Sequence, residues 1–239
     1  MKIFIEVTRF HPEKDTEPHV QTYEVDMGAT SRILDALMYI ARNIDGTLGF
    51  RKSCAHGVCG SDAMIINGKE RLACKTLIQD VAQKDGDTIT LQPLRHLPVQ
   101  KDLMVDQTPF LQKMKAVNPF FMAKEPPPGT TEYAQSPKER VAIDDSTKCI
   151  HCGCCYSACP VLDEKPDFLG PAALVQAARF VFDTRDKGVE ARAELLDHPD
   201  GVWGCDNHFA CTKVCPRDIK ITKLINQTKR SITQYNDKS

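Results

Sequence analysis

The sequence predicts an α+β protein built in two parts, a strand-rich first half and an almost wholly helical second half. Three observations carry that reading. Between Lys2 and Leu91, short β-branched and aromatic runs alternate with polar residues, the period of half-buried strands. Past about Leu103 to Thr108 the apolar residues follow helical spacing instead, with few β-branched runs. The 11 cysteines gather in loops and turns between these elements. The change of character predicts two domains, residues 1–105 and 106–239.

Strands are expected at Lys2 to Phe10 and at Gln21 to Met27. Ser31 is placed to cap a helix from about Arg32 to Ile44, whose Ile33, Leu34, Leu37, Met38, Ile40 and Ala41 share one face. A Gly- and Cys-rich loop follows from Gly46 to Asp62. Asn67-Gly68 is a strong hairpin signal between strands at Ala63 to Asn67 and Arg71 to Thr76, and Asp87 to Leu91 gives a last strand. Two strands, a helix, a long loop, a hairpin and a strand are the order of a β-grasp ferredoxin domain. Further on, helices are expected at Pro109 to Val117, Gly170 to Phe182, Lys187 to Leu196 and Ile221 to Gln234. The proline-rich stretch from Lys124 to Ser136 reads as a loop or wrapping arm.

Composition narrows the function. Lys and Arg number 31 against 32 Asp and Glu, which gives no argument for a nucleic-acid partner or a polybasic membrane patch. No apolar run is long enough to span a bilayer. The first residues read as a strand, with neither a signal peptide nor an Arg-rich transit peptide. A reducing, cytosol-side location is therefore expected, where cysteines are metal ligands before they are disulfides.

Cys149-Ile-His-Cys152-Gly-Cys-Cys155-Tyr-Ser-Ala-Cys159-Pro160 has the spacing C-x2-C-x2-C-x3-C-P of two-cluster bacterial ferredoxins. Zinc usually takes two separated ligand pairs, so four cysteines packed this closely favour an iron–sulfur cluster. Three thiolates of such a run hold one cluster and the fourth reaches another, so a partner run is required. Cys205-Asp-Asn-His208-Phe-Ala-Cys211-Thr-Lys-Val-Cys215-Pro216 repeats the spacing, with His208 in place of the second cysteine. By the crossing rule Cys149, Cys152, Cys155 and Cys215 form a complete set for a [4Fe–4S] cluster. Cys159, Cys205 and Cys211 form a set of only three. Two species fit three thiolates: a [3Fe–4S] cluster, which is preferred, and a [4Fe–4S] cluster with His208 as fourth ligand. Cys154 has no slot and reads as a small buried residue.

The first half carries Cys54, Cys59 and Cys74 in the plant-type [2Fe–2S] spacing, with Asp62 standing where the third cysteine belongs. A carboxylate is a competent, harder iron ligand, so Asp62 is expected to complete the site. His56 lies in the same loop, but the Rieske pattern needs two histidines.

Taken together, the chain resembles the iron–sulfur subunit of succinate dehydrogenase and fumarate reductase. Its second half resembles the all-α domain of the bacterial two-cluster ferredoxin type. Beyond the cysteines the likeness rests on Ser53-Cys54, Gly57-Val58-Cys59-Gly60, Leu72-Ala73-Cys74, Phe168 to Ala172, Arg179-Phe180, Asp183 to Asp186 and Gly201-Val202-Trp203. Aspartate at the third [2Fe–2S] position is known in that family, whereas His208 stands where the family usually has a small or aliphatic residue.

The resemblance implies three clusters relaying single electrons between the FAD of a separate flavoprotein subunit and a quinone at a membrane-anchor subunit, of a kind that can carry haem b. It implies a place on the cytoplasmic side of the bacterial inner membrane, and quinone-side roles for Pro160, His208 and Lys229. Ubiquinone-linked relatives often carry Trp shortly after the Cys-Pro step. Val161 to Glu164 here has none, which tilts the expectation to menaquinone and fumarate reduction. No G-x-G-x-x-G fingerprint opens a strand–turn–helix unit, consistent with FAD lying in a partner. The alternative is the iron–sulfur component of another flavoenzyme complex, of the heterodisulfide or glycolate oxidoreductase kind. Those often append Cys-Cys-Gly-type domains, and none stands between Met1 and Ser239.

Overall fold

A computed structural model describes residues 1–123, 129 and 132–237. The chain divides into two compact units, Met1–Gln107 with Ile150–Ala158, and Thr108–Cys149 with Cys159–Ser239. The segment Ile150–Ala158, which holds the middle of the first cysteine run, thus groups with the strand-rich unit.

That unit is built on a five-stranded mixed sheet. Strands β1 (Lys2–Arg9), β2 (His19–Asp26), β3 (Ala63–Ile66), β4 (Lys69–Leu72) and β5 (Thr88–Gln92) lie in the order β2-β1-β5-β3-β4. β1 pairs antiparallel with β2, Lys2 opposite Asp26, and parallel with β5, Phe4 opposite Thr88. Asn67 and Gly68 both have positive φ, +48° and +72°, as a two-residue hairpin turn of the twisted kind requires. Alternation along β1 buries Ile3, Ile5 and Val7, and α1 (Ile33–Asn43), packed against β2, buries Ile33, Leu34, Leu37 and Ile40. Arg32, one residue later than expected, is the helix cap: its N–H donates to Asp35 while the Ser31 N–H turns back to Gly28. β4 ends at Leu72, so Cys74 lies in the turn beyond the strand. A small hairpin, β6 (Val99–Lys101) and β7 (Met104–Val105), completes the sheet structure, and α4 (Cys154–Ser157) is a single turn packed on β4.

The second unit is helical among the described residues. Its elements are α2 (Thr108–Lys115), α3 (Pro137–Thr147), α5 (Val161–Glu164), α6 (Pro171–Val181), α7 (Val189–Leu196), α8 (Ala210–Val214) and α9 (Ile221–Asn236). α6 is buried almost all round, and α9, which packs on it, buries Ile221, Leu224, Ile225, Thr228 and Ile232. α7 starts two residues later than expected, after Gly188. The helix α3 was not expected. It opens on a reciprocal cap in which Glu139 N–H donates to Ser136 Oγ (3.3 Å) and Ser136 N–H to Glu139 Oε2 (2.8 Å). Arg192, wholly buried, donates to Asp186 Oδ1 at 2.7 Å and to the Phe120 carbonyl at 2.6 Å. The wrapping arm expected from Lys124 to Ser136 falls largely outside the described residues. Among the described residues no helix is long and apolar enough to cross a membrane.

Candidate metal centres

The first site is a loop wound round one sulfur. Ala55, Gly57 and Gly60 all take positive φ, which curls the chain so that the N–H groups of His56 and Cys59 point back at Cys54 Sγ, at 3.5 and 3.3 Å. Those donors, with that of His56 first, pull the Cys54 thiol down to about 6, into the range where it is a thiolate at neutral pH. Cys59 is exposed, its Sγ 3.2 Å from the Ser61 hydroxyl. Cys74 is the opposite case. Burial first, and then the neighbouring Asp62 carboxylate, push its thiol up to about 12. His56 turns its ring Nδ1 to the Cys54 carbonyl at 2.7 Å, a contact within the same loop.

Asp62 is the informative residue. It is 3% exposed. Its Oδ2 accepts a short hydrogen bond from the Cys74 N–H, and its Oδ1 is buried with no hydrogen-bond partner. A surface turn aspartate would keep both oxygens in water. A buried carboxylate oxygen without a donor is the kind of atom that a metal ion satisfies. The residues present therefore fit a [2Fe–2S] group with three sulfurs and one oxygen.

The first cysteine run splits between the units. Cys152 and Cys155 are buried in the strand-rich unit, while Cys149 and Cys215 are half-exposed in the helical one. Cys154 is wholly buried. Its thiol is held well above the usual range by a hydrogen bond to Cys152, and that bond lowers Cys152 in return. The cysteine without a slot thus stands as a donor beside Cys152. The loop of the first site comes close to this turn: a Cβ on Gly60 would lie 2.6 Å from Cys152 Cβ and 2.9 Å from its Cα.

The third set is in one place. Cys159, Cys205 and Cys211 line a single recess in the helical unit, together with Pro160 and His208. Cys159 stands in the turn before α5, and burial pushes its thiol up to about 11, against the N–H groups of Val161 and Leu162. Burial also raises Cys211, which Thr222 Oγ1 partly offsets from 3.6 Å. Asn207 and Phe209 have φ near +60°, and their turn leaves His208 exposed at the rim. Lys229, expected on the quinone side, does not line the recess. Its Nζ donates to the Cys205 carbonyl at 2.8 Å and lies 5.8 Å from the centre of the Trp203 ring.

Among the described residues no three His, Cys, Asp or Glu side chains converge as the ligands of one metal ion. Cluster ligands bind different irons round an inorganic core and need not converge that tightly. Sequence reasoning missed Lys229's tie to Cys205, the donor role of Cys154, and Glu70, a buried carboxylate that takes a hydrogen bond from Ser157 within the first run.

Comparison with known proteins places both halves of the chain in iron–sulfur domain families. A model of a 2Fe-2S iron-sulfur cluster binding domain matches residues 4–112, and a model of a 4Fe-4S dicluster domain matches residues 145–219. The chain is 40% identical over 229 residues to the fumarate reductase iron-sulfur subunit of Mycobacterium tuberculosis, covering 95% of this chain and 92% of that protein. It is 37% identical over 231 residues to the succinate dehydrogenase iron-sulfur subunit of Coxiella burnetii, covering 95% and 96%. Among solved structures it superposes on a chain of the Mycobacterium smegmatis Sdh1 complex in the apo form. The TM-score is 0.86 at 26% identity, covering 98% of this chain and 96% of that one.

Proposed function

The chain belongs to the family of iron–sulfur subunits of fumarate reductases and succinate dehydrogenases, and from that premise we propose that it is the electron-transfer subunit of a membrane-bound succinate:quinone oxidoreductase or quinol:fumarate reductase. When bound, the [2Fe–2S], [4Fe–4S] and [3Fe–4S] clusters supply one-electron carriers between the FAD of a flavoprotein subunit and a quinone at the membrane anchor. Cys54, Cys59, Asp62 and Cys74 hold the first. Cys149, Cys152, Cys155 and Cys215 hold the second, assigned by the spacing of the two runs. Cys159, Cys205 and Cys211 hold the third. The protein's part in the chemistry is to ligate, to direct N–H and S–H donors at the sulfurs, and to limit water, which together set the potentials.

One observation carries the reading. Cys159 comes from the first run, yet it shares a recess with Cys205 and Cys211 of the second. That is the crossing that a two-cluster ferredoxin arrangement demands, and a pair of independent zinc knuckles has no use for it.

The finer reading is a menaquinone-linked enzyme on the cytoplasmic side of the bacterial inner membrane, working with an anchor of the haem b-carrying kind. The absence of Trp from Val161 to Glu164 supports the quinone assignment. Pro160 and His208 at the recess meet the quinone side, and Lys229 contributes through the Cys205 carbonyl. The test is purification of the complex with its flavoprotein and anchor, followed by EPR. A reduced [2Fe–2S] signal and an oxidised [3Fe–4S] signal are expected. His208→Cys supplies a fourth thiolate, so it should replace the [3Fe–4S] signal by that of a four-iron cluster and slow quinone turnover. A chain that purifies alone with full activity, or a His208→Cys enzyme with unchanged quinone kinetics, would count against the proposal.

A further inference from the structure

Glu70 sits on β4, 6% exposed, on the edge strand of the sheet. Buried carboxylates are uncommon without a partner or a task. Its Oε1 accepts a hydrogen bond from Ser157 Oγ at 2.9 Å, and Ser157 in turn accepts one from the Arg95 N–H at 2.9 Å. Ser157 is wholly buried and closes α4, the turn that begins at Cys154 and includes Cys155. The Arg95 guanidinium, 52% exposed, stands 3.9 Å from the same Glu70 oxygen. The β-grasp sheet therefore delivers one buried negative charge to the back of the first cysteine run, with a half-solvated positive charge beside it. Nothing in the ligand chemistry requires either group.

We propose that Glu70 is a charge that holds the second cluster at a lower reduction potential, and that Arg95 offsets part of it. The inference rests on the reading that Cys152 and Cys155 ligate the [4Fe–4S] cluster. Reduction adds one electron, received from one neighbouring centre and passed to the other, and no bond in the protein changes. The reduced form carries one more negative charge, so a fixed carboxylate nearby disfavours it. Burial matters because a buried charge is screened by salt far less than a surface one. The Ser157 hydroxyl fixes the carboxylate against the turn, so the charge cannot swing away into water. Glu70 and Arg95 are positioning residues in this account, since neither touches the iron.

The experiment is EPR-monitored potentiometric titration of the purified complex. Glu70→Gln keeps shape and hydrogen-bond capacity but removes the charge, and should shift the [4Fe–4S] midpoint upward. Arg95→Gln should shift it downward. The [2Fe–2S] and [3Fe–4S] midpoints should match the parent in both variants. Opposed shifts confined to the second cluster support the inference. Midpoints equal to the parent's, shifts of one sign in both variants, or movement of all three clusters overturn it and leave Glu70 a packing residue. Should Glu70→Gln fail to assemble, Arg95→Gln decides alone, because that side chain is exposed enough to be changed without unfolding. A parent complex without any [4Fe–4S] signal is a separate result: it overturns the ligand reading beneath the inference.

Discussion

Replacing Asp62 by alanine separates a ligand from a turn residue, because the two roles predict different behaviour with and without the cluster. In the metal-free chain two effects oppose each other. Losing the bond from the Cys74 N–H to Oδ2, a hydrogen bond to a charged acceptor, costs ~1.5–3 kcal/mol. Removing the buried, unpartnered Oδ1 returns ~1–3 kcal/mol of desolvation. Metal-free Asp62→Ala should therefore lie within ~2 kcal/mol of the parent. In the loaded protein the second effect disappears, since ligation has already satisfied Oδ1. The lost ligand must then cost at least the ~10–100-fold in metal affinity that losing even an outer partner costs. That is ~1.4–2.7 kcal/mol, and with the lost hydrogen bond the loaded form should fall by ~3–6 kcal/mol. Paired unfolding curves of loaded and metal-free protein read the difference, and the EPR signal of the reduced [2Fe–2S] centre reads cluster retention. Asp62→Cys, which restores a thiolate, should keep the signal. If Asp62→Ala kept the signal at parental strength and destabilised both forms equally, the ligand assignment would be wrong.

Three further outcomes are expected. Gly60→Ala forces an L side chain into positive φ against the Cα and Cβ of Cys152, so it should destabilise the strand-rich unit by at least ~1–2 kcal/mol in thermal unfolding, and a neutral result would mean the approach is slack. Arg192→Met leaves Asp186 buried with only backbone donors and should lower the stability of the helical unit by ~3–5 kcal/mol, read by denaturant titration. Asp183 is held below the usual carboxylate range chiefly by Arg185, so its contribution to stability is present at pH above the ordinary aspartate value and fades as pH falls through the depressed one. Arg185→Gln should therefore lose stability at neutral pH and less of it in acid, and equal loss at pH 7 and pH 2 would refute the pairing.

Much of this was legible in the sequence because its signals are local. Alternation from Lys2 to Arg9 marks β1, and the Asn67-Gly68 turn marks the hairpin within a residue of where β3 ends. α3 had a readable start in Ser136-Pro137-Lys138-Glu139, a capping box with proline in the first turn. It escaped notice because its body buries little, only Ile143 and Ser146, and so shows no apolar stripe. The cysteine spacings were readable for the same reason as the turns, since they are short-range patterns. Glu70 was not. Its partner Ser157 lies 87 residues away, and only the pairing of β4 with the sheet and α4 with β4 brings them together. Lys229 entered only through the resemblance, and its acceptor, a backbone carbonyl at Cys205, has no side-chain signature at all.

The sulfur environments explain how such a chain can fold before it is loaded. Unpaired thiolates in a protein interior would be strongly destabilising. The structure avoids them differently at different sites. At Cys54 the thiolate is tolerated because it is near solvent and several N–H groups already point at it. At Cys74, Cys159 and Cys211 burial keeps the sulfur protonated and neutral. Ligation must then release protons at the buried positions, and the charge that appears there is met at once by iron. The N–H donors of Val161 and Leu162 stand against Cys159, the hydroxyl of Thr222 against Cys211 and the thiol of Cys154 against Cys152. They are too few to ionise Cys159 and Cys211 in the metal-free chain, yet in the loaded protein the same donors act on the cluster's charge. Burial thus keeps the unloaded thiols neutral, and the same polar groups are of the kind that tune a bound cluster's potential.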